Sequence, residues 1–396
     1  MKSNYKQLGT YIRPIDERNK NKKINKLLGV SITKSFIPSI ANIVGTDLST
    51  YKIVRTGQFA YGPVTSRNGD KISIALLKED DCIISSSYSV FEVANTKELD
   101  PEYLMLWFSR PEFDRYSRYR SHGSVREIFD WEELCLVELP VPSIDKQREI
   151  VHAYNVINDR IALKRKINNN LTATIDAIFR KQFIAAKNKE QWPISNFAHF
   201  IQSTVGGDWG NENAIGNYTQ EVFCIRGTDI PSLNEGSIAS APKRYILPKN
   251  FSSKRIKAND LVIEISGGSP IQSTGRIAFV PQQVLDYRGD NLICSNFCRV
   301  VTVNPIYLYY ILQYWLYLYR IGRMFDYENS STGLKNFDFS SFIEKEPIPV
   351  PPEKDIQTFN AAATSLYKQL FINGFEIEAL QESCQHILSR ILMHGF

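Results

Sequence analysis

The feature that most constrains this chain is that it repeats itself. Leu139-Pro140-Val141-Pro142 is followed by a charged run to about residue 183, and Ile348-Pro349-Val350-Pro351 is followed by a similar run to the C-terminus, 209 residues further on. In the first run Ile150, Tyr154, Ile157, Ile161, Lys164, Asn168, Leu171, Ile175 and Ile178 keep a strict 4-3 spacing. In the second, Phe359, Ala363, Leu366, Leu370, Asn373, Ile377, Leu380, Cys384 and Ile387 do the same at the same offset of 209. Such spacing sustained over about four heptads is the pattern of helices that pair through an a/d seam. A run of about 40 residues makes a helix of roughly 60 Å. The prolines stop either helix from extending upstream, because the residue before proline is pushed out of helical geometry.

Lys164, Asn168 and Asn373 interrupt the seams near their middle. They read either as a locally wet stretch or as residues that fix pairing and register at some cost in stability, and the second reading is preferred. Residues 151–187 hold seven basic and two acidic side chains, a balance of +5; residues 351–396 hold three and five, a balance of −2. Opposite signs favour pairing of the two unlike helices over self-pairing. Two similar halves related by a two-fold axis perpendicular to the helices would set them antiparallel, with a globular unit at each end.

The repetition continues upstream. Phe129-Asp130-Trp131 matches Phe337-Asp338-Phe339, Gly123 matches Gly333, and Asp100-Pro101-Glu102-Tyr103-Leu104 matches Asn304-Pro305-Ile306-Tyr307-Leu308. Ile74 to Leu77 pairs with Ile277 to Val280, and the upstream offsets drift between 203 and 210, as loops of unequal length require. The expected organisation is a globular domain over residues 1–138, a helix over 139–187, a second domain over 188–347 and a second helix over 348–396. Lys52 to Val54, Ile72 to Leu77, Cys82 to Ile84, Asp260 to Ser266 and Arg276 to Val280 read as strands. Asp100-Pro101 and Asn304-Pro305 read as an N-cap with proline at the first helical position, opening helices through about Phe108 and Tyr319. The fold class is α+β: two similar globular domains joined by two long helices in an antiparallel coiled coil, pseudo-two-fold symmetric.

Composition excludes several classes. A hydrophobic content of 43% with 22% charged residues is that of a folded chain, not a mainly disordered or collagen-like one. The formal charge of +5 permits a nucleic-acid partner without demanding one. It is a sum of unlike halves, +7 over residues 1–187 and −2 over residues 188–396. Cys82, Cys135, Cys224, Cys294, Cys298 and Cys384 form no paired metal-binding set and read as reduced thiols of a cytoplasmic protein. The basic N-terminus lacks a following apolar region, so no signal peptide is expected. The apolar stretch Ile306 to Leu318 is too short to span a bilayer.

No catalytic constellation stands out. Asn304-Pro305-Ile306-Tyr307 is similar to the Asn-Pro-Pro-Tyr turn of amino-methyltransferases but lacks the second proline, and no glycine-rich cofactor loop precedes it. Asp260 and Glu264 have the spacing of a nuclease metal site without the lysine. Gly267-Gly268-Ser269-Pro270 has no Gly-Lys-Ser/Thr and is not a phosphate loop. His122, His152, His199, His386 and His394 are dispersed.

The polar loops point elsewhere. The stretch from Arg115 to Arg126 interleaves Arg115, Arg118, Arg120 and Arg126 with tyrosines, Ser124 and Gly123. Arginine bridges phosphates or binds guanine O6 and N7 bidentately, and small residues let a backbone approach closely. The bland reading is a solvated helix face running into a turn. A repeat partner, Arg323 followed by Ser331, Thr332 and Lys335, tips the balance towards DNA contact. Ser269, Gln272, Thr274 and Arg276 form another such loop, with Arg67, Asn68 and Lys71 a looser counterpart in the first half.

This layout resembles the specificity subunit of type I restriction–modification systems. The resemblance is carried by the two proline motifs with their helices, including Gln147-Arg148-Glu149-Ile150. It is carried also by Phe223-Cys224-Ile225-Arg226-Gly227-Thr228-Asp229-Ile230, by Asn259 through Gly268, and by Gly275-Arg276; Arg55 to Tyr61 keeps the pattern more loosely. Lys354-Asp355-Ile356-Gln357 departs from the usual Glu-Gln after the prolines, which leaves the register of the second helix open. The resemblance implies that each globular domain is a target-recognition domain reading one half of a split double-stranded DNA sequence, with Arg226 among the DNA contacts, and that the coiled coil spans the unread spacer. It implies two modification subunits carrying S-adenosylmethionine, restriction subunits using ATP and Mg, and no cofactor or catalysis in this chain. The alternatives are a self-contained DNA-modifying enzyme with degenerate motifs, and a coiled-coil scaffold that binds only proteins.

Overall fold

The computed structural model describes residues 5–39, 46–66, 68–123, 126–238, 240–269, 271–331 and 334–393. The chain forms two compact units, Met1–Asp159 with Gln381–Phe396, and Arg160–Leu380. The division falls inside both long helices, Ile144–Phe179 and Glu353–Met393, so each unit holds part of each.

In the first unit, strands Ile12–Ile15, Ser89–Val93, Phe59–Tyr61 and Ile74–Leu76 make a four-stranded antiparallel sheet in that order. Phe59 and Phe91 stack at 4.9 Å on neighbouring strands, and Phe108 meets both edge-on. Burial of such aromatic surface is what holds the sheet to the helix Pro101–Phe108. That helix starts as its sequence dictates, with the Asp100 carboxylate accepting from the amides of Glu102 and Tyr103 and proline at the first position. Tyr5–Gln7 pairs antiparallel with Glu138–Pro140, so the first proline motif ends a strand before the long helix begins. Ile150, Tyr154 and Leu388 pack against this core.

The second unit repeats the plan. Ile201–Gly206, Cys298–Val303, Asp260–Glu264 and Ile277–Val280 form an antiparallel sheet in the equivalent order. Ile194–Asn196 pairs with Pro347–Pro349 as Tyr5–Gln7 does with its proline motif. Beside this sheet lie a three-stranded sheet of Lys243–Ile246, Gln220–Ile225 and Leu292–Cys294, where the first unit has Lys52–Val54 paired with Cys82–Ile84, and a hairpin Glu328–Ser331 with Leu334–Phe337 against which Ser266–Gly267 pairs. One expectation changes here. Asn304 caps a short 3-10 turn, Pro305–Tyr307, and the α-helix runs Leu308–Arg320.

Within the second unit the long helices run antiparallel. Going along the first, Lys164 meets Asn373, Asn168 meets Leu370, Phe179 lies 5.9 Å from Phe359, and the Gln182 amide donates to the Asp355 carbonyl. Every seam residue read from the spacing is buried or half-buried: Ile150, Tyr154, Ile157, Ile161, Asn168, Leu171, Ile175 and Ile178 on one helix, Phe359, Leu366, Leu370, Asn373, Ile377, Leu380 and Ile387 on the other. The second helix also buries Tyr367 and Phe371 beside the seam, because Phe279 and Tyr309 of the globular part pack on that flank. In place of the expected Glu-Gln register, Ile356 sits buried at the offset of Gln147, whose amide is wholly enclosed and bonded to Glu98 and Pro142 carbonyls.

Candidate nucleic-acid interface

In each unit the loop that leaves the sheet after its third strand meets a loop placed shortly before the proline motif. In the first unit the Thr65 amide donates to the Glu127 carbonyl at 2.9 Å and the Thr65 hydroxyl to Ser121 at 2.9 Å. In the second, Ser266 and Gly267 pair with Asn336 and Lys335, while Glu328 accepts from the Thr274 amide and hydroxyl at 2.6 and 3.0 Å. The two loops that the sequence matched across the halves are therefore neighbours within each half.

Most basic candidates carry an acidic partner in the same unit. Arg115 pairs with Glu112 at 3.0 Å, Arg118 with Glu127, and Arg120 with Glu133 at 2.6 Å. Arg226 forks onto Asp229, whose carboxyl burial pushes up but which hydrogen bonds from Arg226 and the Ser240 hydroxyl hold below the ordinary carboxylate range. Arg323 reaches Glu346 at 2.9 Å and Asp326, and Lys335 reaches Glu328 at 2.8 Å. Arg276 is the most enclosed of these: it grips both oxygens of Glu264 at 2.8 and 2.6 Å, and Glu264 is only 2% exposed. Glu264 holds the Arg276 guanidinium above its ordinary pKa. Lys71 is exposed beside Lys34, whose ammonium burial pushes down while Asp114 opposes. Ser269 and Gln272 close a tight turn on each other, at 2.9 and 3.2 Å. Arg67, Ser124 and Thr332 lie outside the described residues, as does the side chain of Ser331.

Two cavities lie at these loops. Arg126, Asn68 and Tyr88 line one of about 280 Å³ in the first unit. Arg226, Gln272 and Arg276 line one of about 730 Å³ in the second, with Trp209 and Phe297. Sequence reasoning missed Trp209, Tyr88 and Phe297. Yet Tyr88 and Phe297 stand 209 residues apart, each immediately before the second strand in its sheet's order, so the helix offset would have found them.

Among the described residues no cluster of histidine, cysteine or acidic side chains could hold a metal ion. Cys294 and Cys298 are buried, and burial pushes the Cys298 thiol up to about 12, the wrong direction for a thiolate ligand. Among the described residues no helix is long and apolar enough to cross a membrane.

A duplicated α+β unit that presents arginine, amide and hydroxyl groups on paired loops has the side-chain chemistry with which proteins contact DNA. Comparison with known proteins shows what the chain is similar to. Residues 12–173 match the type I restriction modification DNA specificity domain. The S subunit of a type I restriction-modification system from M. genitalium superposes with a TM-score of 0.58 at 11% identity, covering 98% of this chain and 95% of that one. A chain from a structure of type I R-M complex assembly matches with a TM-score of 0.44 at 15% identity, over 98% and 96% of the two chains. The HsdS subunit of Thermoanaerobacter tengcongensis matches with a TM-score of 0.35 at 15% identity, over 99% and 97%. No curated protein sequence matches. Residues 12–173 are thus similar to the DNA specificity domain of type I restriction–modification systems, and the chain shares the fold of the M. genitalium S subunit. A self-contained modifying enzyme and a protein-only scaffold find no support.

Proposed function

We propose that each unit reads one part of a bipartite double-stranded DNA target and that the long helices set the unread spacer between the parts. The chain docks two modification subunits, which carry S-adenosylmethionine and the methyl-transfer site; restriction subunits with ATP and Mg complete the assembly. The chain itself performs no chemistry and works in the cytoplasm. One observation carries this reading: a DNA specificity domain over residues 12–173 whose sheet order and loop pairing recur in Arg160–Leu380. Much of the grip on phosphates then belongs to the partners, in keeping with a net charge of only +5.

The test is methylation mapping. The chain, assembled with its modification subunits, should methylate one bipartite sequence and no shuffled control. Deleting one heptad from each helix should shorten the recognised spacer, and an unchanged spacer removes the ruler role. Replacing Arg126 or Lys335 should relax one half-site if the residue reads a base, or lower the salt slope of binding by about one unit if it holds a phosphate. If neither affinity, salt dependence nor sequence preference moves, these loops do not face DNA.

A further inference from the structure

The cavity of the second unit has a build that reading base edges does not require. Its floor is the enclosed Glu264–Arg276 pair together with Ser295, 2% exposed. Two glycines keep the wall low around that pair: a Cβ on Gly227 or on Gly267 would come within 2.6 Å of a Glu264 oxygen. One side is aromatic, with Trp209 held in place by the Arg244 guanidinium 3.7 Å over its ring. At the mouth stands Phe297, 55% exposed, its carbonyl fixed by the amides of Ile265 and Ser266 at 2.8 and 3.2 Å. The Asn296 amide and the Thr228 hydroxyl also face the cavity and make no side-chain hydrogen bond among the described residues.

A half-open, largely apolar cavity with an aromatic wall and a few polar groups at the rim suits a flat heterocycle. A base still stacked in a duplex offers only its edge, which would leave most of a cavity of about 730 Å³ unfilled. We propose that this cavity is a nucleobase-binding site that receives one base unstacked from the duplex, stacking it on Phe297 at the mouth and bonding its edge through Asn296. This rests on the chain being a DNA reader. At about 730 Å³ the space falls within the range of small-ligand sites, roughly 300–1,000 Å³, whereas the equivalent cavity beside Tyr88, at about 280 Å³, falls below it. The site therefore serves the half of the target read by the second unit, and the first unit has no such step.

The experiment places a single mismatch at each position of the recognised sequence in turn and measures binding by the chain assembled with its modification subunits. Extruding a mismatched base costs less than extruding a paired one. A mismatch at one position in the second unit's half-site should therefore tighten binding about tenfold. Phe297→Ala and Asn296→Ala should each abolish that gain; both positions are exposed, so the fold tolerates them. Specific binding to the intact duplex with every mismatch weakening it overturns the proposal while leaving the DNA-reading function intact. Loss of preference for any duplex sinks both. Saturable binding of adenosine or thymidine monophosphate, quenching tryptophan fluorescence alongside a flat mismatch scan, assigns the cavity to a free nucleotide and also overturns it.

Discussion

Gly374→Ala sets two effects of known size against each other. In a helix interior, alanine is better than glycine by about 1 kcal/mol, so on an exposed face the change would stabilise. Gly374 is not on such a face. Its new Cβ would stand 2.0 Å from the Gly236 carbonyl oxygen, where ordinary contact needs 3.4 Å or more. The loop carrying Gly236 would have to retreat by over an ångström. It is tied down: the Asn168 amide donates to the Glu235 carbonyl at 3.0 Å, and Glu378 accepts from the Ser237 hydroxyl and the Ile238 amide at 2.6 and 2.9 Å. Keeping those bonds means overpacking, at about 1–3 kcal/mol. Breaking them costs about 1 kcal/mol each, more where a buried group is orphaned. Set against the propensity gain of about 1 kcal/mol, these losses leave a net destabilisation of about 1–2 kcal/mol. Urea denaturation of the unit Arg160–Leu380 within the full chain should show a lower midpoint with an unchanged slope. Hydrogen exchange at the Ile238 amide should accelerate. A raised midpoint with normal protection at Ile238 would refute the reasoning, because it would mean the loop stands off the helix.

Three further outcomes follow from the same geometry. Glu264→Gln removes one partner of an enclosed ion pair and should cost about 3 kcal/mol, with Glu264→Gln/Arg276→Met recovering part of it; a loss under about 1 kcal/mol would show the pair to be solvated. Asn168→Leu orphans the Asn373 amide and should cost about 2 kcal/mol, while Asn168→Leu/Asn373→Leu should cost less than the two single changes summed, as a double-mutant cycle measures. Asp229 has its folded-state pKa held below the ordinary 3.8, so its contribution is present at neutral pH and lost as pH falls through that lowered value. Asp229→Asn should therefore flatten the acid limb of the stability curve below the ordinary carboxylate pKa, and an unaltered limb in acid titration would count against the Arg226–Asp229 cap.

Helix pairing was legible because it is periodic. The a/d spacing depends only on which residues recur every third and fourth position, and Ile161, Ile175, Phe359 and Leu370 obey it. Tyr367 and Phe371 escaped, since their burial is decided by Phe279 and Tyr309, distant in sequence. Loop chemistry was legible as residue type and not as partner. Arg276 looks in sequence like any loop arginine, and only the fold brings Gly227 and Gly267 around its carboxylate. Phe297 was passed over for the opposite reason. It belongs to no polar loop pattern, and its 55% exposure appears only in the folded turn.

The polar residues in the seam had two readings, and their burial separates them. Asn168 is 3% exposed and uses its side chain three ways: it donates to the Leu370 carbonyl and the Glu235 carbonyl, both at 3.0 Å, and accepts from Asn373 at 2.9 Å. Asn373 in turn accepts from Lys164 at 3.3 Å and from Gln369 at 3.0 Å. A wet stretch would leave these groups to solvent. A pair of asparagines satisfied only against each other would fix the helices and nothing more. Here one amide also holds the Glu235 carbonyl of a loop in the globular part, and Glu378, one turn beyond Gly374, holds the next two residues of that loop. Sliding either helix by a heptad would strand the asparagines opposite apolar positions and pull the loop from its bonds at once. Register in this unit is therefore specified by the globular fold as well as by the seam, which is why an apolar substitution at Asn168 should loosen the loop and the helices together.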